Sequence, residues 1–279
     1  ERIAKESNGE LKFFKCSLEN KKEFLKIVKE SKPDLFIHLA AQAGVRYSIE
    51  NPSVYMESNI KGFFNILECS RIFKIKHLIY ASTSSVYGNL KKFPLEETDN
   101  TDKPLSFYAA SKKTNEILAY SYSNIFKIPT TGLRFFTVYG PYGRPDMSLF
   151  KFADRIFKNK SIELFNNGNH VRDFTYVTDV ATSIKLLINK IPKNNPPYDI
   201  FNIGSNNPKN LKLFLSLIEK NLKLKSKVNK LPLQKGDVHK THANVDKLYR
   251  RIKFKPKVSI EEGIKKFIKW YNLKNKWKS

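Results

Sequence analysis

Short apolar runs bounded by turn residues alternate with longer stretches in which apolar positions recur every three or four residues. This alternation predicts strands joined by helical crossovers. The strand candidates are residues 11–16 (LKFFKC), 34–40 (DLFIHLA), 77–83 (HLIYAST) and 130–136 (TTGLRFF). Helical spacing covers 20–31, 53–73 and 106–127, with Ser53 and Ser106 as candidate N-caps for the second and third. Strands interleaved with helices in this way define an α/β class built on a doubly wound parallel sheet.

From about residue 141 the rhythm loosens. GPYGRPDM is followed by a helix near 147–158, a short strand SIELF and the loop NNGNHVRDF. PPYDIFNIGS, KLPLQKGDVHK and a terminal helix over 259–274 complete the chain. The expected organisation is a sheet domain over 1–140 and a smaller α/β lobe over 141–279 that closes over a ligand, with some segments returning to the sheet. Neither an internal repeat nor a low-complexity linker is present.

A doubly wound nucleotide-binding sheet ordinarily opens with a strand, a Gly-rich turn and a helix, whose amides and dipole hold a pyrophosphate. These 279 residues contain no such motif. Gly140 and Gly143 follow a late strand and sit among prolines. The expectation is a sheet whose first strand-helix-strand unit is missing.

Composition narrows the classes. With 41% hydrophobic and 13% aromatic residues, the chain can bury one large core, or one core and a smaller lobe. Cys16 and Cys69 are too few and too unpatterned for a disulfide framework or a metal site, which fits a reducing cytoplasm. No run reaches the roughly 18 apolar residues of a membrane span, and the opening ERIAKESNGELK lacks a secretory apolar stretch. We therefore expect a cytoplasmic protein with no membrane partner, although the chain begins at Glu1 rather than Met.

The net charge of +25 raises the question of nucleic acid. Nine arginines stand against 42 lysines, and the lysines are dispersed through helices, as in KKEFLKIVKESK. That dispersion suits a solvated surface, so no nucleic-acid partner is expected.

The chemistry centres on HLIYASTSSVYG, a strand ending in small hydroxyls at the end where such sheets bind ligands. Twenty-five residues after Thr83 comes Tyr108, and Lys112 follows one helical turn later on the same face. A phenol with an ordinary pKa of about 10 is a poor base near neutrality and needs a neighbouring cation to favour phenolate. The spacing Y-x-x-x-K also occurs at Tyr87/Lys91 and Tyr249/Lys253. Only Tyr108/Lys112 begins a helix after a hydroxyl-tipped strand, and position selects that pair.

The strings HLAAQAGVRYS (38–48), STSSVYG (82–88), YAASK (108–112), LRFFTVYGPYGRPDM (133–147) and VRDFTYVTD (171–179) resemble, in order, those of uronate-specific nucleotide-sugar epimerases. These belong to the extended short-chain dehydrogenases. The resemblance covers nearly the whole chain and implies a Rossmann-like fold, tightly held NAD and a cytoplasmic homodimer through the helices at 53–73 and 106–127. It makes Thr83, Tyr108 and Lys112 catalytic, with Tyr108 removing the proton of a sugar 4-hydroxyl. It places Leu39, Ala40, Ala41, Asn59, Ser82, Tyr108 and Lys112 along the cofactor. Toward a UDP-uronate it implies Arg46, Ser84, Thr137 and Arg144 at the sugar, Arg172 at the diphosphate, and Gln234 and Asp237 near the uridine ribose. A departure is Cys16-Ser17-Leu18, where the family has an acidic residue after the strand.

Charge supports the uronate. In a 4-keto uronate the carboxylate is β to the ketone and is lost readily as carbon dioxide unless held still. The planar guanidinium of Arg144 suits that task. Ser84-Ser85 follows Thr83 where related dehydratases carry an Asp-Glu pair, so elimination lacks its acid and epimerisation is preferred. Two rivals remain: an epimerase of neutral sugars, and an inactive remnant that only binds. With the opening unit missing, the 279 residues are expected neither to retain NAD nor to turn over substrate, and a version extended at the amino terminus is expected to do both.

Overall fold

A computed structural model of the chain describes residues 11–276. Its strands are β1 (Leu35–His38), β2 (His77–Thr83), β3 (Thr130–Phe135), β4 (Thr137–Tyr139) and β5 (Ile162–Phe165). β6 (Val171–Arg172), β7 (Phe174–Tyr176), β8 (Tyr198–Ile203), β9 (Lys209–Asn210) and β10 (Val228–Leu231) complete the set. The central sheet is parallel throughout, in the order β1-β2-β3-β8.

Parallel pairing requires crossovers, and the helices Gly62–Ile72 and Phe107–Phe126 supply the first two. Every residue of β2 is buried, which explains the apolar run 78–81 at its centre. Its alternate side chains serve two cores. Leu78 and Tyr80 pack with Phe63, Leu67 and Ala119 on one face, while Ile79 packs with Val180, Ile184 and Phe201 on the other. Helices on both faces make this a Rossmann-like, doubly wound sheet.

A separate core lies among the shorter elements. Tyr139, Phe152, Phe174, Phe214 and Phe267 meet there, with the Phe174 and Phe214 rings stacked 4.3 Å apart. β4 pairs with β7, and β5 with β10, so short parallel ladders link this lobe to the chain leaving β3.

Three expectations are corrected. Residues 11–16 form no strand, and Phe13 is 75% exposed. No described strand lies beside them to satisfy their backbone groups, and a strand without a neighbour has nothing to hold it extended. The helix expected over 53–73 is three pieces: Pro52–Tyr55, a π-helical turn Met56–Lys61, and Gly62–Ile72. Ser53 is consequently not its N-cap. Pro52, whose fixed φ suits a first helical position, starts the helix one residue earlier after Asn51. Ser106 does cap its helix, its hydroxyl accepting from the Ala109 amide at 3.2 Å.

Candidate active site

The carboxyl ends of β2 and β3 open into a cleft of about 1550 Å³ between the sheet and the lobe. Thr83 is the last residue of β2, and its hydroxyl accepts from the Ser85 amide at 3.2 Å, which starts the turn Ser84–Tyr87. Tyr108 and Lys112 both enter the cleft from the first two turns of the helix Phe107–Phe126. Thr83, Tyr108 and Lys112 thus converge, whereas the other two Tyr-Lys pairs do not join them. Tyr87 is buried and donates to Asn202 Oδ1 at 2.6 Å, and Tyr249 lies under its own Lys253.

The electrostatics of the pair are dominated by burial. Burial pushes the Tyr108 phenol above its ordinary value, opposed by a hydrogen bond with Thr83 and by the positive charge of Arg144. Lys112 lies one helical turn farther along. Its ammonium is 1% exposed and donates to the Ala81 carbonyl at 2.8 Å. Desolvation lowers Lys112 to about 8.

The cofactor side was tested against these contacts. Among the described residues Lys112 gives one of its three N–H bonds to protein, leaving two inside the cleft for ribose hydroxyls. Leu39, Ala41 and Ser82 line the same cleft, while Ala40 is exposed beside it. Ser82 donates its hydroxyl hydrogen to Glu116 Oε1 at 2.6 Å, which leaves its oxygen to act only as an acceptor. Asn59 stands behind the wall, presented by the π-helical turn. Its Oδ1 accepts from the Gln42 amide at 2.8 Å, and its Nδ2 donates to Gln42 O and Ser111 Oγ, each at 3.0 Å. Of these, Leu39, Ala41, Ser82 and Lys112 line the cleft and are the residues that could hold the nicotinamide ribose of NAD.

The sugar side is hydroxyl-rich. Ser84, Ser85, Thr137, Arg172 and Asp237 line one pocket within the cleft. Arg144 stands at the rim, with 45% of its side chain exposed, and donates to Asp146 Oδ2 at 3.1 Å. The Arg46 guanidinium lies 4.4 Å from the Phe165 ring centre, reaching from the helix Val45–Glu50 to the lobe. Gln234 keeps its Oε1 buried with no partner among the described residues. Arg172 and Asp237 form an ion pair at 2.7 Å.

Sequence reasoning missed the support beneath these residues. Glu116 accepts from Arg134 Nε and Nη2 at 2.9 Å each, with both side chains 4% exposed. A charged residue within the apolar strand LRFF, and an acid one turn beyond Lys112, were the available signals. Tyr55 was missed too: its hydroxyl donates to Gly44 O at 2.6 Å and its ring meets the edge of Tyr108 at 6.2 Å. Among the described residues no group of three metal-ligating side chains occurs, and no helix is long and apolar enough to cross a membrane.

Known proteins resemble this chain in sequence and fold. The chain is similar to Protein CapI of Staphylococcus aureus, with 50% identity over 273 residues, spanning 93% of this chain and 82% of that one. It is 42% identical over 285 residues to a probable UDP-glucuronate 4-epimerase of Rhizobium meliloti, spanning 97% and 83%. The crystal structure of UDP-glucuronic acid 4-epimerase from Bacillus cereus, in complex with UDP-glucuronic acid and NAD, superposes with a TM-score of 0.90 at 29% identity, covering 97% of this chain and 84% of that one. Residues 1–204 match the model of the NAD dependent epimerase/dehydratase family. By fold and by sequence, the chain belongs to the NAD-dependent epimerase/dehydratase family of enzymes.

Proposed function

We propose that this protein is a nucleotide-sugar 4-epimerase whose substrate is UDP-glucuronate and whose product is UDP-galacturonate. The observation that carries the reading is the convergence of the Tyr108 phenol with the Thr83 hydroxyl and the field of Arg144. Tyr108 takes the proton of the sugar 4-hydroxyl and returns it, with Thr83 sharing the hydrogen bond. Bound NAD supplies the hydride acceptor and donor for the sugar C4. Lys112 holds the nicotinamide ribose, and its charge makes the phenolate less costly once both sit in a dry cleft.

Arg144, Thr137 and Arg46 hold the uronate carboxylate, which keeps the β-keto acid from losing carbon dioxide. No carboxylate follows Thr83 on the turn Ser84–Tyr87, so the site has no acid for dehydration there. A second reading is an epimerase of neutral sugars, favoured by the Arg144 side chain being half exposed and engaged by Asp146. We also infer a homodimer, from Phe64, Ile117 and Ile125, which are 39%, 58% and 63% exposed on two adjacent helices.

The test incubates the protein, extended at its amino terminus by the strand-helix-strand unit that these residues lack, and NAD with UDP-glucuronate, and separately with UDP-glucose, and resolves the C4 epimers by chromatography. Conversion of UDP-glucuronate is expected. Conversion of UDP-glucose alone removes Arg144 from its role, and conversion of neither overturns the epimerase reading.

A further inference from the structure

At the far end of the cleft His170, which the proposed reaction does not use, joins the nucleotide-binding candidates Arg172 and Asp237 in a clasp. Asp237 belongs to the loop after β10, whereas His170 and Arg172 flank Val171 on the other side. Asp237 Oδ1 accepts from Arg172 Nη2 at 2.7 Å and from the Val238 amide at 2.9 Å. Its Oδ2 lies 3.2 Å from His170 Nε2, off the line of a straight hydrogen bond. His170 is 3% exposed and lines the cleft.

A guanidinium and a carboxylate at close range favour a two-pronged pair. Here the pair is single-pronged. Nη2 alone reaches Asp237, while Nη1 donates to the Val171 and His239 carbonyls at 3.1 Å each. His170 occupies the space beside the second carboxylate oxygen. The same carboxylate anchors a loop that bridges the cleft, because a side chain at Gly236 would press on Val45 and on the Leu105 carbonyl across the way.

We propose that His170 is a positioning residue for the anionic end of the nucleotide sugar. By taking Oδ2 of Asp237 it prevents Arg172 from closing fully onto that carboxylate. The guanidinium then keeps an N–H edge for a diphosphate, and the loop stays tied down over it. The proposal rests on the nucleotide-sugar reading of the cleft.

The experiment measures UDP binding by calorimetry in the presence of NAD, together with KM and kcat for UDP-glucuronate. Wild type is compared with H170L, H170Q, D237N and H170L/D237N. Loss of a hydrogen-bonding partner to a charged group corresponds to about tenfold in affinity. H170L is expected to weaken UDP binding by about that factor and to raise KM in parallel, with a much smaller change in kcat. H170Q, which restores an N–H donor, should recover most of the loss. In the D237N background, H170L should change the affinity by less than about twofold, since residues acting through one another are not additive.

Equal UDP affinity in wild type and a folded H170L overturns the proposal, as does failure of H170Q to rescue or additivity with D237N. Where H170L does not fold, H170N carries the test, because its amide is too short to reach Oδ2 of Asp237, and wild-type affinity for UDP there overturns the proposal equally. Failure of wild type to bind UDP is a different result, and it removes the nucleotide-sugar reading itself.

Discussion

Lys112 donates to the Ala81 carbonyl across 2.8 Å, tying a buried cation on the catalytic helix to the strand that ends two residues later at Thr83. The bond sets the depth of the helix against the sheet, and with it the approach of Tyr108 to Thr83.

Replacing Lys112 by Met tests the cost of that burial. Desolvation holds Lys112 at about 8 in the folded protein, below its ordinary 10.5. Between those two values the unfolded chain binds one more proton than the native one, so the stability of wild type rises with pH across that window. Without added NAD, K112M should melt a few degrees higher than wild type at pH 7, the difference shrinking as pH climbs past 8. Calorimetry at several pH values checks this, and a gap that is constant with pH contradicts it.

Tyr108→Phe removes the phenolic hydroxyl and leaves the ring in place. A positioned acid/base group contributes about 10²–10⁴-fold, so kcat should fall within that range while UDP affinity changes little. Steady-state kinetics and titration with UDP separate the two effects.

Arg144→Met should raise KM for UDP-glucuronate and release carbon dioxide from it, because the 4-keto uronate is no longer clamped. Arg144→Lys keeps the charge without the two-pronged geometry and should be intermediate. Trapping of labelled carbon dioxide distinguishes them.

Glu116→Gln leaves Arg134 buried without its counter-charge, a change that costs about 3–5 kcal/mol. Denaturant titration should register that loss, together with a weaker hold on the Ser82 hydroxyl.

Ile117→Asp places a charge on the exposed helix face inferred to join two copies. Light scattering is expected to report a dimer for wild type and a monomer for I117D, and an unchanged mass for the variant would remove this surface from the interface.

Local chemistry made much of this protein legible in its sequence. β2 betrayed itself as an unbroken buried run, Ser106 as a cap, and Tyr108 and Lys112 as partners one turn apart on a helix that follows a hydroxyl-tipped strand. Each of these depends on neighbours within a few residues. The tertiary structure decided what depends on distant ones. Residues 11–16 have strand composition, but pairing needs a neighbour, and composition cannot supply it. The helical spacing over 53–73 concealed a π turn that places Asn59 behind Gln42 and Ser111. Spacing likewise could not show that the Lys112 ammonium donates to the Ala81 carbonyl, or that the charge of Arg144 reaches Tyr108. Where a charge points is set by everything packed around it, and residues 36 positions apart in the chain meet only after folding.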